Sequence, residues 1–227
     1  MNAGDPSGAA EAWVTMMQRF GPDSAIWEKV LAALTAAKRP DILARAIEAY
    51  VRMEIDDAAK LSGNLALARI CRDDLGDEEG FVRACGAVLA LSADNVEANM
   101  ALASRAFAAG DMAQLEARVE VLKKGSWHPD VALWQGAVAE HLQRVDEARA
   151  CYRDLIDRSP QTPGAAEGFL RTVSDADDDG LVLQAAESVS RTRGTSRLSA
   201  EALRRIGMSY FRRGDLSHAR TFLQSAD

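Results

Sequence analysis

The residues best placed to do chemistry in this chain are the four aspartates of the run DADDDG, Asp175 to Gly180. Asp175, Asp177 and Asp179 occupy positions one, three and five of a calcium-loop pattern, where alternate carboxylates ligate the ion and a glycine at six, here Gly180, makes the sharp turn. The apolar eighth position is present as Val182. The twelfth is Ala186, where the loop needs a bidentate glutamate, and Glu187 comes one residue late. In an incoming helix that shift turns the carboxylate about 100 degrees away from the ion. The run also falls where a turn between two helices belongs, so aspartates that cap a helix account for it without a metal. We expect an acidic turn, with Asp175, Asp177 and Asp179 as the one candidate metal site and no cofactor.

The other reactive side chains are scattered. His128, His141 and His218 are isolated, with His128 just before a helix and His218 beside a packing alanine. They read as caps or surface residues. Cys71, Cys85 and Cys151 sit at apolar positions of helices, where a thiol acts as a small hydrophobe. No CxxC or HExxH spacing offers a metal site, no phosphate loop is present, and no GxSxG elbow presents a nucleophile. The chain is expected to perform no catalysis.

The elements that must position these residues are helices in register. Repeats begin near Ser24, Ser62, Val96, Pro129, Pro163 and Ala200. They align on turn glycines Gly76, Gly110 and Gly214 and on the alanines that open second helices, Ala148 and Ala219. Spacings of this size, about 34 residues, mark stacked helical hairpins. In the last repeat Leu203, Ile206-Gly207, Tyr210, Ala219 and Leu223 follow one another at fixed places. In the fourth repeat the same places hold Ala132, Gln135-Gly136, Ala139, Ala148 and Tyr152, with Pro160 closing the unit. Gly136 and Gly207 let the second helix of the hairpin approach closely, which offsets the roughly 1 kcal/mol that glycine costs a helix. Asp23-Ser24, Asp41 and Asp94-Asn95 are expected to supply capping oxygens. Valine and isoleucine follow helical spacing, so no sheet is expected.

On these residues the chain resembles the tetratricopeptide-repeat family, clearly in the repeats from Pro129 and Ala200 and loosely in the other four. The resemblance covers about nine tenths of the chain. It implies an all-α, right-handed superhelical solenoid of about six antiparallel hairpins, residues 24–227, preceded by a tail and capping helix, residues 1–23. Within the cap, Trp13, Met16, Met17 and Phe20 are expected to share the buried side. The family binds peptides or helices in a concave groove lined by first helices. The corresponding positions here are Ala66, Ile70 and Asp73; Glu97, Met100, Ser104 and Phe107; Asp130, Leu133, Ala137 and Glu140; and Glu167, Arg171, Glu201, Arg204, Met208 and Phe211. That lining is apolar in its middle, acidic at one edge and mixed at its C-terminal end. The alternative is that Met100, Phe107 and Leu133 only pack against neighbouring helices. The family's grip on a C-terminal carboxylate is not expected, because Ala66, Ile70, Ala101, Asp130 and Trp134 stand where donors are needed.

Composition narrows the partners. A net charge of −7 and mixed placement of acids and bases argue against nucleic acid, which needs a basic stripe. Arg204, Arg205, Arg212 and Arg213 are the one basic concentration and read as a solvated helix face. No apolar run reaches the roughly 20 residues of a membrane span, the first ten residues lack a signal-peptide pattern, and the odd cysteine count suits a reducing compartment. A cytoplasmic protein with a protein or peptide partner is expected. The last hairpin ends without a polar closing helix, so its open apolar face is expected to serve a homo-oligomer or a contiguous domain.

Overall fold

The turns of this chain carry a shared backbone signature. Lys38, Gly76, Gly110, Gln143 and Gly214 have φ between 52° and 81°. Each is followed by the N-cap of the next helix: Arg39, Asp77, Asp111, Arg144 and Asp215. Left-handed backbone reverses the chain within a few residues, and glycine adopts it without the penalty that a Cβ brings. The three aspartates then accept hydrogen bonds from first-turn amides of Gly80 (2.9 Å), Gln114 (3.1 Å) and His218 (3.1 Å).

The computed structural model describes residues 6–21, 24–36, 38–53, 55–174, 176–192 and 198–226. They form helices α1 (Pro6–Phe20), α2 (Ser24–Ala36), α3 (Pro40–Val51), α4 (Asp57–Ile70), α5 (Glu78–Leu91), α6 (Val96–Ala109) and α7 (Met112–Leu122). The series continues with α8 (Pro129–His141), α9 (Val145–Arg158), α10 (Ala165–Thr172), α11 (Asp179–Thr192), α12 (Ala200–Arg212) and α13 (Leu216–Gln224). Cys71–Leu75 continues α4 as a wider π turn. No strand occurs among the described residues, so the fold is all-α. The chain divides into two compact units, Met1–Arg105 and Ala106–Asp227.

In the first unit Trp27 of α2 stacks flat on Tyr50 of α3, with ring centres 4.1 Å apart. Val30, Ile47, Leu67, Phe81 and Val88 belong to the same core. Helix α1 lies against α3 and α2. Its contact is made by buried Met17 and half-buried Trp13, four residues apart on one face. Phe20, expected on that face, is 77% exposed in the final turn, where the Arg19 guanidinium lies 5.8 Å from its ring centre. Asp41 also departs from expectation. Its main partner is the Arg39 side chain, which holds it through two hydrogen bonds of 2.8 and 3.0 Å and, with smaller help from the Ile42 and Asp41 amides, lowers its pKa to about 2. Of the other expected caps, Asn95 accepts from Ala98 N–H at 3.0 Å, and Asp23 lies outside the described residues.

In the second unit the core runs through Tyr152, Leu155, Phe169, Leu170, Val182 and Ile206. Tyr152 of α9 is held between two glycines: a Cβ on Gly136 of α8 or Gly168 of α10 would lie 2.5 Å from its ring. Gly207 of α12 repeats the arrangement, with a Cβ position 2.7 Å from Leu223 of α13. Side-chain-free patches therefore let three successive helices close on one ring. Trp127 ties the connection before α8 to α9, donating to Asp154 at 3.1 Å beneath the Arg158 guanidinium.

Candidate interaction site

The acidic turn is built as an arginine clasp. Asp175 lies outside the described residues. Asp177 is buried, and its Oδ2 accepts from the Ser174 amide at 2.6 Å and the Ser174 hydroxyl at 3.0 Å. Asp178 caps α11 by accepting from the Leu181 amide at 3.0 Å. Asp179 Oδ1 accepts from Arg205 at 2.7 Å, from Ser209 at 2.9 Å and from Arg212 at 3.2 Å. These bonds, Arg205's above all, hold its carboxyl below the usual carboxylate range. Arg205 also donates to the backbone carbonyls of Ser174, at 2.9 Å, and Asp177. Oxygens that would have faced a cation face guanidinium groups instead, and no cluster of three metal-ligating side chains occurs among the described residues.

This corrects the reading of the basic concentration. Arg205 is the largest fully buried side chain described, at 2% exposure, whereas Arg204, Arg212 and Arg213 are exposed. The one-residue offset between Arg204 and Arg205 turns the second inward on α12, toward the acidic turn. The signal lay in the sequence as four aspartates one repeat before four arginines, two like-charged runs whose separation hid their pairing.

Most groove positions fall on partly accessible faces, and the structure shows which are already engaged. In the first unit Ala66 and Met100 are half-buried, Ser104 is exposed, and Ile70 is buried in the core and offers nothing to a ligand. Asp73 pairs with adjacent Arg72 at 2.7 Å. Glu97 of α6 forms a two-bond fork with Arg69 of α4, at 2.7 and 2.8 Å, which neutralises the expected acidic edge. In the second unit Glu140 of α8 makes a matching fork with Arg171 of α10, at 3.1 and 3.2 Å. It closes over buried Tyr152, whose phenol pKa is pushed up by burial. Ala137 and Met208 are half-buried, and Phe107 packs against buried Trp134 with ring centres 6.5 Å apart. Leu133 points beneath Gly164, 3.6 Å from where a Cβ would stand, and so packs within the unit.

Two cavities collect Glu201, Arg204 and Phe211. One of about 460 Å³ brings Arg171 and Arg204 together with Arg149, Glu201 and Val145. The other, about 790 Å³, opens on the α12–α13 face and is lined by Glu201, Arg204, Phe211, Leu216, Arg220 and Leu223 among others. Phe211, expected in the groove, thus lies on the end face with Leu216; they are 55% and 63% exposed.

The thiols and two of the three imidazoles take part in packing or capping. Cys71 and Cys85 are buried and Cys151 is half-buried; burial raises all three thiols, Cys85 to about 11. His128 is the N-cap of α8, its Nδ1 accepting from the Asp130 amide at 3.2 Å. His218 stacks on Tyr210 and bonds Asp215 at 2.7 Å. His141 is exposed.

The tetratricopeptide-repeat family pattern matches residues 130–162, which span α8 and α9. No curated protein matches the chain. Among solved structures, YrrB, described as a TPR protein with an unusual peptide-binding site, is similar at 15% identity and a TM-score of 0.52, over 72% of this chain and 83% of YrrB. The C-terminal part of a TPR repeat-containing protein from Cytophaga hutchinsonii is similar at 12% identity and a TM-score of 0.58, over 98% of this chain and 90% of that one. At these identities the likeness shows the fold, which is that of tetratricopeptide-repeat arrays.

Proposed function

With a tetratricopeptide-type array as the premise, we propose that this chain is a non-catalytic interaction scaffold that holds a peptide, helix or subunit of a protein partner on the faces that first helices make within each unit. The observation that supports it is the pair of arginine–glutamate forks. Within each unit one fork joins neighbouring first helices on that face, Arg69 to Glu97 and Glu140 to Arg171. Exposed pairs of this kind contribute roughly 0–1 kcal/mol, so a ligand carboxylate or amide can take over part of a fork at little cost. Met100 lies one helical turn from Glu97, and Ala137 one turn from Glu140, which places an apolar anchor beside each fork. An amphipathic helix or extended segment suits such a lining. The same inventory supports the non-catalytic reading: Cys71 and Cys85 are buried in the core, His128 is spent as a cap, and Asp179 is clasped by Arg205. We place the scaffold in the cytoplasm, where unpaired cysteines persist. Among the described residues no helix is long and apolar enough to cross a membrane.

Affinity capture from the source cell, followed by mass spectrometry, identifies the partner. Met100→Glu with Ala137→Glu should then abolish its capture, while Phe211→Glu with Leu216→Glu should leave it intact. Capture indifferent to the first pair removes the groove reading. A second reading, assembly through the α12–α13 face, is favoured by the 790 Å³ cavity and its exposed Phe211 and Leu216. It predicts that the second pair of substitutions alters the sedimentation coefficient of the assembly.

A further inference from the structure

In the second unit the first helices α8 and α12 have 13 residues each, but α10, which comes between them in the chain, has only 8. Helix α10 stops at Thr172 because Val173 leaves helical backbone, with ψ of 143°, and leads into the acidic turn. Side chains then take the carbonyls that helix amides would have held. Arg149 of α9 donates to Thr172, and Arg205 of α12 donates to Ser174 and Asp177. Beside this truncated end, residues of α9, α10 and α12 line the cavity of about 460 Å³.

Four guanidinium groups and one carboxylate, Glu201, line it, and three of the four are engaged. Arg205 is bound by Asp179, Arg149 by Asp146 at 2.8 Å, and Arg171 by Glu140. The fourth, Arg204, is exposed, and among the described residues its side chain makes no hydrogen bond or ion pair. Arg171 keeps some capacity, because its fork to Glu140 uses Nε and Nη2 and leaves Nη1. Hydroxyls add no donor: Thr172 donates to the carbonyls of Gly168 and Phe169, and Ser174 donates to Asp177. The donors left over, a whole guanidinium fork and one further nitrogen, match the two oxygens of a single carboxylate. A phosphate would bring a third oxygen without a donor and a second charge toward Glu201, which lies one helical turn from Arg204. The C-terminal dipole of α10 opposes any anion, but its Thr172 carbonyl is already met by Arg149.

We propose that this cavity receives the carboxylate of a glutamate or aspartate side chain on the segment held by the first helices of the second unit, with Arg204 supplying the fork and Arg171 a further bond. The inference rests on the groove reading and fixes the partner's chemistry at one point, an acidic residue opposite the end of α10.

The probe is N-acetylglutamate α-amide, which carries one side-chain carboxylate, titrated into the 227-residue chain while NMR follows the arginine Nε–H signals. The signals of Arg204 and Arg171 should shift saturably, with half-saturation below about 10 mM. Arg153 is equally exposed and makes no side-chain bond among the described residues, so its signal should drift without saturating. The neutral N-acetylglutamine α-amide should leave all three in place. Arg204→Gln, at an exposed position whose fold circular dichroism checks, should weaken the response at Arg171 about tenfold or more. An Arg204 signal that behaves like that of Arg153, or an Arg171 response indifferent to Arg204→Gln, overturns the proposal. Tighter binding of N-acetylphosphoserine α-amide overturns its choice of a carboxylate. No partner is present in the titration, so a negative result removes the cavity and leaves the groove to its own test with Met100→Glu and Ala137→Glu.

Discussion

Replacing Arg205 with methionine tests whether α12 is anchored to the acidic turn by charge. Arg205 is 2% exposed and makes bonds to the Asp179 carboxylate, the Ser209 hydroxyl and two backbone carbonyls. Methionine keeps much of the volume but leaves those acceptors without the donor. Removing one partner of a buried pair costs about 3–5 kcal/mol. Here the Asp179 side chain is 23% exposed and retains Arg212 at 3.2 Å, so water and that second arginine recover part of the loss. We expect Arg205→Met to lower the unfolding free energy by about 2–4 kcal/mol. Asp179→Asn should cost less, about 1–2 kcal/mol, because the amide oxygen still accepts from Arg205. The double variant should fall short of the sum by more than about 0.5 kcal/mol, the coupling that contacting residues show. Urea unfolding by circular dichroism supplies the four values. The pH dependence has a fixed sign: the folded-state pKa of Asp179 is lowered, so its contribution is present above the unfolded value, about 3.9, and is lost as pH falls below that toward the folded value. Additive free energies, or an Arg205→Met cost below about 1 kcal/mol, would refute the clasp.

Other perturbations follow from local geometry. Gln143 holds φ of 59°, where a Cβ costs about 1–2 kcal/mol, so Gln143→Gly should stabilise by about 0.5–1 kcal/mol after the added freedom of the unfolded chain is subtracted. A lower urea midpoint for that variant would contradict the turn assignment. Gly168→Val places side-chain atoms against the Tyr152 ring and should destabilise by about 1–3 kcal/mol or more, with Tyr152→Leu in the same chain restoring part of the loss. No recovery in the double variant would mean that the ring is not what the glycine accommodates. Calcium at about 1 mM should leave the melting temperature unchanged, because a ligand that binds only the folded state raises it by mass action and Asp177 and Asp179 are already hydrogen-bonded. A rise of several degrees would require a cation site that the clasp does not allow.

Several levels of this architecture were legible along the chain. Turn glycines, the small residues opposite bulky ones and the helical spacing of apolar positions are local requirements, so Gly76, Gly110, Gly214, Gly136 and Gly207 announced hairpins before any contact was known. The missing twelfth ligand of the acidic run was equally local. Faces were harder to read. Ile70 and Phe211 occupy nominal groove positions, yet one is buried in a core and the other stands at an end face, because exposure depends on which helix lies alongside.

Sequence by itself determined that this protein is a series of helical hairpins, because helix period and turn conformation are set over a few consecutive residues. Tertiary structure alone decided what the charges do. Asp179 and Arg205 are 26 residues apart and 2.7 Å from each other, and Glu140 and Arg171 are joined across 31 residues. Such pairings depend on how neighbouring hairpins stack, and no local spacing encodes them.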